Sequence, residues 1–178
     1  VHQVGHGHPR VVNAIKAQLD QLPFCPRRYT NQTAIDLASK LAELAPGNLN
    51  KMLFAPGGTN AIGMALKLAR YATGRHKTIS MWDSFHGASL DAISIGGESL
   101  FRKDVGPLMP GSEHIPPPRR GKCHFNCPDE NHDSCIEYLK YVIEMEGDIG
   151  ALVAEPMRWT TVEPVSYTHL TLPTKRIV

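Results

Sequence analysis

The run Phe54-Ala55-Pro56-Gly57-Gly58-Thr59-Asn60-Ala61 has the composition of an anion cradle, because an apolar stretch passes through glycines straight into a helical pattern. Gly57 and Gly58 carry no Cβ, so the backbone can turn sharply there and approach a ligand closely. Thr59 adds a hydroxyl at the first helical turn, where free amides and the positive end of the helix dipole face one small volume. Ile62, Ala65, Leu66, Leu68 and Ala69 recur at spacings of three and four, and Gly74 is the expected stop. A glycine-rich turn of this kind also occurs without a ligand, so this run alone leaves both readings open.

Two further runs carry chemistry. Asp83-Ser84-Phe85-His86-Gly87 follows an apolar segment at 78–82, and Glu155-Pro156 closes another at 150–155. These segments, with 51–55, predict buried strands. The stretches 9–22 and 31–44 predict helices, the first opening on His8-Pro9 and the second ending at Pro46-Gly47. Strands alternating with helices favour a parallel sheet, whose ligands gather outside the carboxyl ends of the strands. Three strand ends then offer a phosphate cradle, a flat aromatic and a carboxylate, a set that suits a phosphorylated aromatic cofactor. The segment 106–133, rich in Pro and Gly, reads as a long excursion.

The 178 residues are 42% hydrophobic and 20% charged with a formal net charge of +2, the profile of a globular protein with a sizeable core. No basic tract argues for nucleic acid, and no apolar run reaches membrane-spanning length. Cys25, Cys123, Cys127 and Cys135, in a sequence without a secretory signal, are expected to be reduced thiols of a cytoplasmic protein.

The order of these motifs resembles a known family. Residues 54–70 are similar to the segment of class III (subgroup II, ω-amino-acid type) pyridoxal-phosphate aminotransferases that reads small-Gly-Ser/Thr-acidic-Ala before an Ala-Leu-Lys-Leu-Ala-Arg helix. Ser84-Phe85-His86-Gly87 resembles the family's aromatic-His-Gly turn, and Ala154-Glu155-Pro156 its Ala-Glu-Pro strand end. Gly5-His6-Gly7-His8-Pro9 is similar to its Gly-His-x-His-Pro opening. The resemblance runs from Val4 to Pro164. It implies an α/β fold, namely an incomplete fold-type I large domain (a mainly parallel sheet with flanking helices) plus part of the N-terminal segment. On that reading 1–46 is the N-terminal segment with its helices, and 47–164 is the first part of the domain that binds pyridoxal 5'-phosphate (PLP).

The resemblance also implies roles. Gly58 and Thr59 would bind the cofactor phosphate beside Asn60, which stands where the family generally has Glu or Asp. Phe85 would stack on the pyridine ring, against the alternative of an ordinary core aromatic. His86 would either contact the cofactor or hold the turn by hydrogen bonds. Glu155 would lie on the substrate side. The implied reaction is transamination between an amino-acid or amine donor and a keto-acid acceptor in a homodimer, with a lyase, decarboxylase or aminomutase as the alternative. No catalytic residue is assigned within the chain: in the family the Schiff-base lysine and the aspartate paired with the pyridinium nitrogen lie well beyond the Ala-Glu-Pro strand, and nothing after Glu155 resembles either. Arg27, Arg28 and Arg158 offer guanidinium forks for a carboxylate or phosphonate, or are solvated surface residues.

A different class of function is a small zinc module using Cys123, Cys127, His132 and Cys135. Its Cys-x3-Cys-x4-His-x2-Cys spacing is irregular for a zinc knuckle, so loop thiols without metal are the preferred reading. Finally, 165–178 (Val-Ser-Tyr-Thr-His-Leu-Thr-Leu-Pro-Thr-Lys-Arg-Ile-Val) resembles a reading frame of a transposase end sequence and adapter used in sequencing libraries. It is expected to be a non-native tail. Amplifying the gene from genomic DNA prepared without a transposase should show a reading frame that diverges after about Pro164; recovery of the same tail would overturn this.

Overall fold

The computed structural model describes residues 3–119, 123–127, 133–158 and 163–164. The expected tail at 165–178 lies outside them. The chain divides into two compact units, Val1–Leu53 and Phe54–Val178.

The first unit contains helices α1 (Pro9–Gln21) and α2 (Gln32–Leu44), close to the predicted spans. Gly5 and Gly7 have φ of +84° and +65°, so Gly5 to Pro9 is a turn that delivers Pro9 to the start of α1. Asn31 caps α2, its side chain accepting from the Thr33 amide at 3.0 Å. No residue of either helix is buried, although both carry an apolar stripe.

The second unit opens with α3 (Gly58–Thr73), which ends as expected at Gly74 in the left-handed conformation, φ +67°. There follow β1 (Lys77–Met81), α4 (Leu90–Ile95), α5 (Ser99–Arg102), β2 (Ser112–Ile115), α6 (Asp133–Glu146) and β3 (Ile149–Val153). The short strands β4 (Met157–Arg158) and β5 (Glu163–Pro164) pair antiparallel. The main sheet has the order β2-β1-β3 and is parallel throughout.

Successive residues of β1 point to opposite faces. Ile79 and Met81 join Ile115 and Leu139 in a buried cluster, with Val142, Ile143, Ile149 and Leu152 against it, so α6 covers this face. Thr78 and Ser80 are also buried. Helix α3 packs against β3, and α4 against β1 and β2.

Two expectations are corrected. Residues 51–55 are not a strand: they join no sheet among the described residues, and Leu53 and Phe54 are 61% and 41% exposed. An extended segment becomes a strand only when a neighbour takes its amides and carbonyls, and no described strand does so. The excursion at 106–133 is not all loop, because it contains β2. Of the four residues of β2 only Ile115 is aliphatic, so its apolar signal is weak.

Leu139 is 2% exposed at the centre of the cluster. Leu139→Ala is expected to destabilise the chain by about 2–5 kcal/mol in urea denaturation, whereas Tyr71→Ala, at a position 91% exposed, should stay within about 0.5 kcal/mol of the parent.

Candidate active site

The parallel arrangement brings the chemistry-bearing residues to one end of the sheet. The turn after β1 is built around Ser84, which is 1% exposed. Its hydroxyl donates to the Met81 carbonyl at 2.6 Å, and its own carbonyl accepts from the amides of Gly97 and Glu98 at 2.9 and 3.0 Å. Gly97 must be glycine here, since an added Cβ would overlap the Met81 carbonyl. Asp83 takes a positive φ of 59° and pairs with Arg119 at 2.8 Å.

Phe85 then projects from a fixed backbone. Its amide donates to Glu155 Oε1 at 2.7 Å, and its ring lies 4.5 Å from that of Phe101 at a tilt of 48°. Glu155, just past the end of β3, thus braces the turn that carries Phe85. The other oxygen, Oε2, is buried and has no partner among the described residues.

His86 is turned inward and is 9% exposed. Its Nε2 lies 3.2 Å from Ser80 Oγ on β1. Burial first, and the nearby His114 second, push its pKa down from 6.5 to about 4, so the ring is neutral at physiological pH. The ring is thus linked to β1 through a side-chain hydroxyl.

Helix α3 reaches the same turn. An added Cβ on Gly87, whose φ is +135°, would overlap the Thr59 side chain and come within 3.0 Å of Ala92 Cβ. Thr59 and the Phe85 turn are therefore neighbours. Gly57, the N-cap, has an extended backbone with φ −168°, and Gly58 does not have positive φ either. A Cβ on Gly58 would meet nothing within 4 Å. The fold itself therefore does not require glycine at 58. The open space sits beside first-turn amides that have no partner within the helix, which is what a bound phosphate needs. Asn60, in the same turn, is exposed.

Residues 1–159 match the family model described as aminotransferase class-III. The chain belongs to the class-III aminotransferase family. It is 52% identical to an (R)-1-hydroxy-2-aminoethylphosphonate ammonia-lyase of Vibrio splendidus, over 92% of this chain and 37% of that protein. It is 41% identical to an acetylornithine aminotransferase of Methanopyrus kandleri, over 65% of this chain and 30% of that one. Among solved structures, an amine transaminase from an uncultivated Pseudomonas species, in its PLP-bound form, superposes with a TM-score of 0.81 at 28% identity. That match covers 92% of this chain and 40% of the transaminase. The class-III chain thus spans well under half the length of these relatives, and its sheet and helices are an incomplete fold-type I domain.

Of the residues singled out in the sequence, Thr59, Phe85, His86 and Glu155 are brought together with the start of α3. Arg27 and Arg28 are exposed in the first unit. Arg158 lies on β4, and its side chain falls outside the described residues. The sequence reading missed Ser80, which carries no motif, and gave Ser84 no role within its run; their burial on and just after β1 is what marks them.

The depressed His86 pKa makes a signed prediction. The unfolded chain binds a proton at His86 near pH 6.5, the native chain only near pH 4. Stability from this group is complete above pH 6.5 and is lost as pH falls towards 4, by on the order of 3 kcal/mol. Urea denaturation across this window should show a flatter pH dependence in His86→Gln than in the parent. His114, held low by burial and by Arg102, acts in the same direction and remains in both.

Proposed function

We propose that this chain supplies the cofactor-binding part of a PLP-dependent enzyme that transfers an amino group between an amino acid or ω-amine and a keto acid. The observation that carries this reading is the convergence of the open α3 start at Gly58, the braced aromatic turn at Phe85 and the half-satisfied carboxylate of Glu155. On this proposal the amides of Gly58 and Thr59, with the Thr59 hydroxyl, hold the phosphate, and Asn60 sits beside them without adding negative charge. Phe85 flanks the pyridine ring. His86 works beneath it, through Ser80 and the turn. Glu155 Oε2 is free to accept a hydrogen bond from a donor entering on the substrate side. The bound cofactor would supply the electron sink for amino-group chemistry.

In this proposal 47–164 is the first part of the large domain and 1–46 the N-terminal segment. The whole protein acts as a homodimer in the cytoplasm, with an amino donor and a keto-acid acceptor as its small-molecule partners and neither nucleic acid nor membrane among them. The exposed apolar stripes of α1 and α2 are suited to burial in such an assembly. No helix among the described residues is long and apolar enough to cross a membrane.

One observation favours a second reading within the same family. The 52% identity is to an ammonia-lyase acting on an aminophosphonate, so elimination of ammonia from such a substrate is the alternative. The full-length enzyme should separate the two. Amino transfer that requires a keto acid supports the aminotransferase; ammonia released from an aminoalkylphosphonate without a keto acid supports the lyase.

The cradle is testable apart from that choice. Gly58→Val in the full-length protein should lower cofactor occupancy at least tenfold, read from the visible absorbance of the bound cofactor, with a smaller effect on thermal stability because the new side chain enters open space. Phe85→Ala should weaken cofactor binding by roughly 1 kcal/mol or somewhat more, the scale of a lost aromatic contact and its buried area. Full occupancy in Gly58→Val would reject the phosphate assignment.

A further inference from the structure

Outside the site just described, three thiols meet at one point. Cys123 Sγ lies 3.2 Å and Cys127 Sγ 3.7 Å from Cys135 Sγ, and all three sulfurs lie within 4.8 Å of one another. Cys123 and Cys127 come from the end of the excursion, whereas Cys135 is buried in the first turn of α6.

The loop is shaped to make them converge. Asn126 adopts a positive φ of 52°, and its amide donates to the Cys123 carbonyl at 3.1 Å, closing a tight turn between the two cysteines. The Phe125 amide donates to Cys123 Sγ at 3.4 Å, tying that sulfur to the turn. The Phe125 ring packs at 5.2 Å on Tyr138 of α6, fixing the loop to the helix that bears the third sulfur.

We propose that Cys123, Cys127 and Cys135 form a binding site for a single thiophilic divalent cation, zinc by preference, that clips the excursion to α6. Tetrahedral zinc with Zn–S bonds of about 2.3 Å places its sulfurs about 3.8 Å apart; the two separations to Cys135 Sγ, 3.2 and 3.7 Å, are within about 0.6 Å of that, and the third is no more than 4.8 Å. A disulfide would engage two of the sulfurs and leave the third idle; the cation uses all three, with water completing the tetrahedron. The site differs from the zinc module considered from spacing alone: it belongs to an aminotransferase-family chain, it takes three sulfurs, and it does not draw on His132, which lies outside the described residues. Its role is structural, since the same helix carries Leu139 into the core.

Binding releases the thiol protons and forms three metal–sulfur bonds with no change of oxidation state. The test is metal analysis of the chain purified without chelators, paired with titration of the reduced, metal-free chain by Co²⁺ alone. About one equivalent of zinc is expected by mass spectrometry, falling at least tenfold in Cys127→Ser at matched helical circular dichroism. Cobalt should raise a near-ultraviolet thiolate charge-transfer band that saturates at one equivalent and is displaced by zinc. Because the titration uses the parent sequence, it decides the matter even where a serine variant fails to fold. No such band with all three thiols reduced, or a metal-free chain carrying a Cys123–Cys135 disulfide when prepared without reductant, would overturn the proposal.

Discussion

The site depends on one hydrogen bond between strand ends, from the Phe85 amide to the Glu155 carboxylate. It exists because β1 and β3 run parallel and neighbouring in the sheet, so both chains leave it on the same side. With the opposite strand direction Glu155 would lie a full sheet length away. At 2.7 Å this bond ties the turn after β1 to the end of β3. The Ser84 bonds fix the same turn from the other side, through Met81 and the chain after α4. Phe85 is thus placed by backbone geometry, and its ring packs against that of Phe101 at a tilt of 48°.

What the sequence made legible follows from how local each signal is. Helix α3 is readable because its stripe, its glycine start and the left-handed Gly74 all lie within one segment. Strands β1 and β3 are readable as apolar runs, since a parallel strand is covered on both faces. Residues 51–55 carry the same kind of run, but a strand is a property of a pair, and their apolar character does not reveal whether a neighbour is present. In β2 the polar residues Ser112, Glu113 and His114 leave one aliphatic residue, and the strand forms because β1 supplies the ladder. Helices α4 and α5 are six and four residues long, too short for a periodic stripe to stand out.

The candidate site shows the same division. Gly58, Thr59, Asn60, Phe85, His86 and Glu155 were singled out through motifs, yet their contacts in the fold were not. Nothing in the sequence says that His86 is turned towards Ser80, or that one oxygen of Glu155 is spent on a backbone amide. The cysteines are the mirror case: irregular spacing argued against a shared ligand, but the positive φ of Asn126 and the turn it closes bring sulfurs together that the spacing left apart.

Most unusual features around the turn are explained by the fold. Gly87 makes room for Thr59 and Ala92, Gly97 passes over the Met81 carbonyl, and the neutral His86 is the consequence of burying an imidazole against a serine. Two features are not explained this way. Gly58 sits in open space at a helix start without needing the conformational freedom of glycine. Glu155 buries a carboxylate oxygen with no described partner, which is unfavourable unless a donor reaches it. They belong to the same cluster of strand and helix ends, and one ligand, anionic where it meets the amides of α3 and offering a donor where it meets Glu155, would remove both anomalies together.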